Sequence, residues 1–210
     1  MSPGEGLTIA VPRGALMEET LDVLDDLGFD TREVRHNDRK LVFPELGLVT
    51  MRPSDVPTYV ERGAADIGIT GKDVLLEQDE REVYELLDLG YGRCTMVVAA
   101  REGDDALAES LRRLGSVRVA TKYPRIAARH FSESGRNAEI VEVKGSVEIA
   151  PLVGLADGIV DLTASGATLR ENRLEVREEI VVCTARLIAN PVAHKLKARQ
   201  IDALVARLRP

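Results

Sequence analysis

The sequence predicts an α/β protein of two lobes with mostly parallel sheets, connected by two chain crossings. Three observations carry this. Short β-branched apolar runs alternate with amphipathic helical stretches along the chain. The clearest polar break in the middle, Arg101 to Asp105, puts one crossing at about Cys94 to Arg101. Val176 to Ala189 is apolar, β-branched and longer than an average strand, as expected of a strand that leaves one lobe and continues into the other. The expected lobes are residues 1–96 with 182–210, and residues 97–181. A cleft between lobes is the default place for a ligand, and Cys94 and Cys183 should lie on neighbouring crossing segments.

Leu7 to Val11 reads as a strand and ends at Pro12-Arg13-Gly14. A helix follows, with Leu16, Thr20, Val23, Leu24 and Leu27 on one face and Gly28 as its stop. Asp30 to Val34 and Leu41 to Phe43 look like strand fragments around a polar turn, and Leu48 to Met51 is another strand. Ser54 or Asp55 is placed to cap a helix carrying Val56, Tyr59 and Val60, closed by Gly63. Asp66 to Gly71 is a buried strand, and Gly71-Lys72-Asp73 opens a helix without the spacing of a nucleotide P-loop. Val83 to Leu89 leads through Gly90 and Gly92, with no third glycine or following helix, into a strand from Thr95 to Ala100. Beyond the break come a helix at Ala106 to Leu114, a strand at Val117 to Thr121, a helix started by Lys122-Tyr123-Pro124 and running through Phe131, and a strand at Ala138 to Val143. In the last helix Ile201, Leu204, Val205 and Leu208 repeat at helical spacing.

The 210 residues include no Trp and only 3% aromatics, and the formal net charge is −7. Stacking platforms for single-stranded nucleic acid need aromatics, and general nucleic-acid binding needs the opposite charge. An anionic substrate must therefore be held by local basic groups, N–H groups or a metal. The two Cys and three His are scattered, with no metal-type spacing. No secretory signal is visible at Met1 to Gly6, and no apolar run reaches the ~20 residues of a membrane span. A cytoplasmic protein without membrane or nucleic-acid partners is expected.

The most informative stretch is Gly158 to Leu169. An apolar β-branched run ends in Asp161, and Thr163, Ala164, Ser165, Gly166, Ala167 and Thr168 follow. Gly166 permits close backbone approach to a ligand, Thr163, Ser165 and Thr168 add hydroxyls, and a helix over Leu169 to Leu174 would aim N–H groups at the loop. This is an anion site, with phosphate the usual guest. A Ser/Thr-rich turn without a ligand is the competing reading of the loop alone.

The loop resembles the phosphoribosyl-diphosphate loop of phosphoribosyltransferases. Val160 stands where the salvage enzymes carry a first acid, which disfavours that branch. The ordered blocks Arg52 with Asp55-Val56-Pro57, Ala65 to Ile69, Gly71 to Leu75, Gly92-Arg93-Cys94, Ala120 to Pro124 and Lys144 to Pro151, continued by Gly154 to Asp157, Asp161, Ser165 to Leu169 and Asn172, resemble one family, the ATP phosphoribosyltransferases. The family often reads Pro-Lys-Gly-Arg-Leu where this chain has Pro12-Arg13-Gly14-Ala15-Leu16; Arg39 or Lys40 is the cation available in place of the arginine lost at Ala15.

The resemblance implies a type II periplasmic-binding-protein-like fold and transfer of phosphoribosyl from 5-phosphoribosyl 1-diphosphate to N1 of ATP, opening histidine biosynthesis. It implies Asp161, Glu148 and Arg52 as catalytic groups, the 163–168 loop on the 5′-phosphate, and Arg13, Arg39, Arg52 and Lys122 on ATP or diphosphate. Mg²⁺ would be held mainly by the diphosphate. The chain length resembles the family's short form, which implies a homo-oligomer working with a regulatory subunit similar to histidyl-tRNA synthetase. A two-lobed small-anion binding module without catalysis is the rival reading.

Overall fold

The computed structural model describes residues 6–78, 80–103 and 105–209. Met1 to Glu5 of the stretch read for a signal, and Asp104 of the central break, lie outside the described residues. In chain order the elements are β1 (Ile9–Pro12), α1 (Met17–Asp26), α2 (Arg32–His36), β2 (Val42–Phe43), β3 (Leu48–Met51), α3 (Val56–Glu61), β4 (Ile67–Gly71), α4 (Lys72–Glu77) and β5 (Tyr84–Asp88). Then come β6 (Cys94–Arg101), α5 (Ala106–Leu114), β7 (Val117–Thr121), α6 (Pro124–Glu133), β8 (Ala138–Glu142), α7 (Ile149–Leu152), β9 (Gly158–Thr163), α8 (Ala167–Glu171) and β10 (Leu174–Cys183). The chain closes with β11 (Ala185–Ala189), α9 (Pro191–Leu196) and α10 (Ala198–Leu208). Contacts gather these elements into two units, one within Met1–Gly92 and Thr184–Pro210, the other Arg93–Cys183.

The first unit is built on a six-stranded sheet in the order β2-β3-β1-β4-β11-β5. β1 runs parallel to β3 and β4 and is buried along its whole length, because helices cover both sides of the sheet's centre. On one face Ile9, Leu21, Leu24, Leu48, Leu187 and Ile201 form the core; Val56, Val60 and Ile188 form the other. The spacing of Ile201, Leu204 and Val205 does bury one side of α10.

The second unit has a five-stranded sheet in the order β10-β6-β9-β7-β8. β7 is parallel to β8 and β9, while β6 is antiparallel to β9 and β10. Both sheets are therefore mixed, and the expectation of mostly parallel sheets is corrected. The reason lies in the connections. A parallel neighbour needs a crossover of a dozen or more residues. In the first sheet β3 follows β2 after Pro44 to Gly47 alone, with no helix between, and the two pair antiparallel.

Three further differences are local. Asp30 to Val34 is not a strand but leads into α2. The Asp25 carboxylate accepts from Thr31 N at 3.1 Å and Thr31 Oγ1 at 2.7 Å, and Arg35 reaches back to Glu18, Asp22 and Asp25. Only Val34 of α2 is buried, so no alternating face holds the segment extended. The long apolar run at Val176 to Ala189 divides at Thr184, whose Oγ1 donates to Asp88 at 2.7 Å. The helix expected over Leu169 to Leu174 occupies Ala167–Glu171 instead, and Leu174 already belongs to β10. As expected, Cys94 and Cys183 are register partners, across the β6–β10 ladder.

Candidate functional site

Asp161 reaches its position through the centre of the second sheet. β9 runs between β6 and β7, with Asp161 opposite Val97, so the carboxylate is carried into the interior and is only 8% exposed. Two residues beyond it the strand ends and the loop begins. Within the loop Thr163 Oγ1 accepts the Gly166 N–H at 2.9 Å and Ser165 Oγ accepts the Ala167 N–H at 3.3 Å. Two of the three hydroxyls that the sequence assigned to a ligand, those of Thr163 and Ser165, thus hold the loop's shape, covering N–H groups that an anion can claim in exchange. Gly166 has φ +72°, a left-handed conformation that glycine adopts without the cost a side chain would add. A Cβ there would also stand 2.8 Å from Arg170 Nη1.

Two further residues converge on Asp161. Thr121 is fully buried at the end of β7; its Oγ1 donates to the Val160 carbonyl at 2.7 Å and accepts the Tyr123 N–H at 2.8 Å. That pair of bonds fixes the turn after β7 against β9 and brings Lys122 Nζ to 3.6 Å from Asp161 Oδ2. Glu148 is held from the other direction: Val147 and Ala150 beside it are buried in the core, and its carboxylate lines the same cavity as Asp161 and the loop from Leu162 to Leu169.

Burial pushes the Asp161 carboxyl above its usual range. The Leu162 N–H, bonded to Oδ1 at 2.9 Å, and the Lys122 charge pull it back down, while the Glu148 charge adds to the rise. A buried carboxylate with sparse compensation inside a cavity is the electrostatic mark of a working group.

The cavity measures about 170 Å³. That is below the ~300–1,000 Å³ of pockets that enclose drug-sized ligands; it has room for a phosphate with part of a sugar, not for a nucleoside triphosphate. A larger cavity of about 430 Å³ opens beside Phe131, Arg136 and Asn137. Its guanidinium is already engaged by both oxygens of Glu178, so the charge that would draw an anion there is neutralised.

The structure therefore brings together Asp161, Glu148, Lys122 and the 163–168 loop, all in the second unit. Arg13, Arg39 and Arg52 belong to the first. Arg13 and Arg52 follow the register partners Pro12 and Met51, and the Arg13 N–H donates to the Met51 carbonyl at 2.7 Å. Arg13 Nη2 lies 3.5 Å from Asp38, while Arg39 and Arg52 are exposed. Arg170, which packs on the loop, was absent from the sequence expectations; its position four residues after Gly166 on a helix was the available signal.

A family model described as HisG, ATP phosphoribosyltransferase, matches residues 52–210. The ATP phosphoribosyltransferase of Rubrobacter xylanophilus is 53% identical over 204 residues, 96% of this chain and 94% of the relative. That of Sorangium cellulosum is 49% identical over 207 residues, 97% of this chain and 94% of the relative. Among solved structures, the ATP phosphoribosyl transferase (HisG:HisZ) complex from Thermotoga maritima matches with a TM-score of 0.79 and 33% identity, over 96% of both chains. Similarity this high, running nearly from end to end and through the Asp161 loop, means that the chain belongs to the ATP phosphoribosyltransferase family.

Proposed function

We propose that the cavity beside Asp161 holds the phosphoribosyl end of 5-phosphoribosyl 1-diphosphate. The chain is an ATP phosphoribosyltransferase: it moves phosphoribosyl onto N1 of ATP, giving 1-(5-phosphoribosyl)-ATP and diphosphate, the first step of histidine biosynthesis. The single observation that carries the site assignment is the joint lining of one small cavity by a buried carboxylate, a second carboxylate and a loop rich in N–H and hydroxyl groups.

In this reading Thr163, Ala164, Ser165, Gly166, Ala167 and Thr168 surround the 5′-phosphate, and Asp161 accepts hydrogen bonds from the ribose hydroxyls. Glu148 supplies the second acid that Val160 does not. Arg52 joins Arg13, Arg39 and Lys122 as the basic groups for diphosphate or the ATP phosphates. The adenine N1 lone pair attacks the anomeric carbon as its bond to diphosphate breaks, and the leaving group takes the electron pair. No covalent protein intermediate is needed; the residues align two anions and stabilise the charge on the departing one.

Mg²⁺ is the cofactor of this reading. Glu148 and Asp161 are two oxygen donors suited to a hard cation. That donor set fits an ion held mainly by substrate oxygens. When bound, the ion neutralises charge on the diphosphate.

The Thermotoga maritima neighbour is described as a HisG:HisZ complex. We extend that arrangement to this chain: a homo-oligomer working with a regulatory subunit similar to histidyl-tRNA synthetase. The finer architecture proposed is a type II periplasmic-binding-protein-like pair of lobes, 1–96 with 182–210 and 97–181. Among the described residues no helix is long and apolar enough to cross a membrane; the cytoplasm is the proposed compartment.

The test is diphosphate release on mixing the chain with ATP, phosphoribosyl diphosphate and Mg²⁺, with and without the regulatory subunit. Turnover that Asp161→Asn removes supports the assignment. Binding without turnover in both mixtures favours a small-anion binding module.

A further inference from the structure

The peptide between Ser165 and Gly166 is gripped at both ends. Its N–H donates to Thr163 Oγ1 at 2.9 Å, and its carbonyl accepts from Arg170 Nη1 at 2.9 Å. In a trans peptide these two groups point in opposite directions. Thr163 lines the cavity and Arg170 does not, so the N–H end is the cavity end. The same Nη1 fills the space beside Gly166 that a Cβ would need. Helix geometry makes this possible, because a side chain on α8 leans back over the turn before it.

We propose that Arg170 is a positioning residue for phosphoribosyl-diphosphate binding. It keeps the Ser165 carbonyl turned away from the cavity, so that the loop offers donors, rather than a carbonyl dipole, to the 5′-phosphate. A flip of that one peptide would aim the carbonyl oxygen at the anion. The inference rests on the assignment of the loop to the phosphate and adds what holds the loop in its binding form.

The test is calorimetric affinity for Mg²⁺–phosphoribosyl diphosphate and, separately, for ATP, in the wild type, Arg170→Ala, Arg170→Lys and Asp161→Asn, with thermal midpoints alongside. A hydrogen bond from a charged group to a carbonyl predicts that Arg170→Ala weakens phosphoribosyl-diphosphate binding about tenfold. ATP affinity and the midpoint stay unchanged, and Arg170→Lys, which retains a donor, recovers most of the loss. The tenfold ratio should persist between about 0.05 and 0.5 M salt, since a positioning bond is not a long-range attraction. A ratio that collapses with salt assigns Arg170 to direct charge contact and overturns the positioning role. Unchanged binding in Arg170→Ala while Asp161→Asn is defective overturns the inference alone. Unchanged binding in both variants removes the loop assignment together with it.

Discussion

On β10, Glu178 accepts hydrogen bonds from Arg136 through both of its oxygens and faces His130 Nε2 at 2.9 Å. On β9 of the same sheet, Asp161 accepts one backbone N–H and stands 3.6 Å from a single lysine. The Arg136 guanidinium, itself packed 4.7 Å from the Phe131 ring centroid, holds the Glu178 carboxyl below its usual range; burial pushes that of Asp161 above it. The first carboxylate is fully committed to holding β10 against the end of α6. The second is desolvated with its acceptor capacity largely open toward a cavity. What separates a structural acid from a candidate working acid here is depth together with how completely its charge is answered.

The largest effect that would sharpen this contrast comes from Asp161→Asn. Turnover should fall by about a hundredfold or more. Thermal stability should hold or rise: with the folded-state pKa above the unfolded value, the native state binds more protons, so ionised Asp161 works against folding at neutral pH. Near-normal turnover, or a marked loss of midpoint, would erase the distinction. Next, Gly166→Val should remove phosphoribosyl-diphosphate binding and lower stability by about 1–2 kcal/mol, because a β-branched residue resists φ +72° and displaces Arg170. Equilibrium binding and a melting curve check both parts.

Glu178→Gln should behave in the opposite way to Asp161→Asn. Turnover stays within about twofold, while stability falls by about 1 kcal/mol for a pair this exposed, a shift of roughly 2–4 °C. Because the folded-state pKa of Glu178 is depressed, its contribution is present above the unfolded value and disappears as pH drops through the folded one. The gap between variant and wild type in melting temperature should therefore close on acidification. The smallest effects are shifts in the acid limb of kcat/KM. Lys122→Met removes the cation that favours ionised Asp161, so the limb moves to higher pH; Glu148→Gln removes a repelling charge, so the limb of the remaining activity moves to lower pH. Movement in the same direction for both would show that Asp161 is not the group titrating.

Much of this contrast was legible in the sequence on one side only. Asp161 announced itself because it ends an apolar β-branched run and precedes a loop of small and hydroxyl residues. The strands at Leu48 to Met51 and Val117 to Thr121, and the face of α10, followed from period alone. Glu178 did not stand out, because Arg136 and His130 reach it from α6 and the turn that follows, across 42 and 48 residues, and no spacing rule connects them. The sequence suggests Lys122 only as a phosphate ligand; its approach to Asp161 depends on the Thr121 hydroxyl joining β7 to β9, a tertiary bond. The α2 segment departs from its strand pattern for a related reason, since the bonds from Asp25 to Thr31 and from Arg35 back to α1 outweigh the weak alternation of Asp30 to Val34. The mixed sheets escape a reading of alternation because alternation of strands and helices says nothing about strands joined with no helix between them, as β2 and β3 are.

The most direct measurement is a crystal structure with phosphoribosyl diphosphate and Mg²⁺. The prediction is that the 5′-phosphate oxygens accept hydrogen bonds from the 165–168 N–H groups, with the ribose hydroxyls on Asp161. Density for the sugar phosphate at any other place in the molecule, with the Asp161 cavity left to solvent, would contradict it.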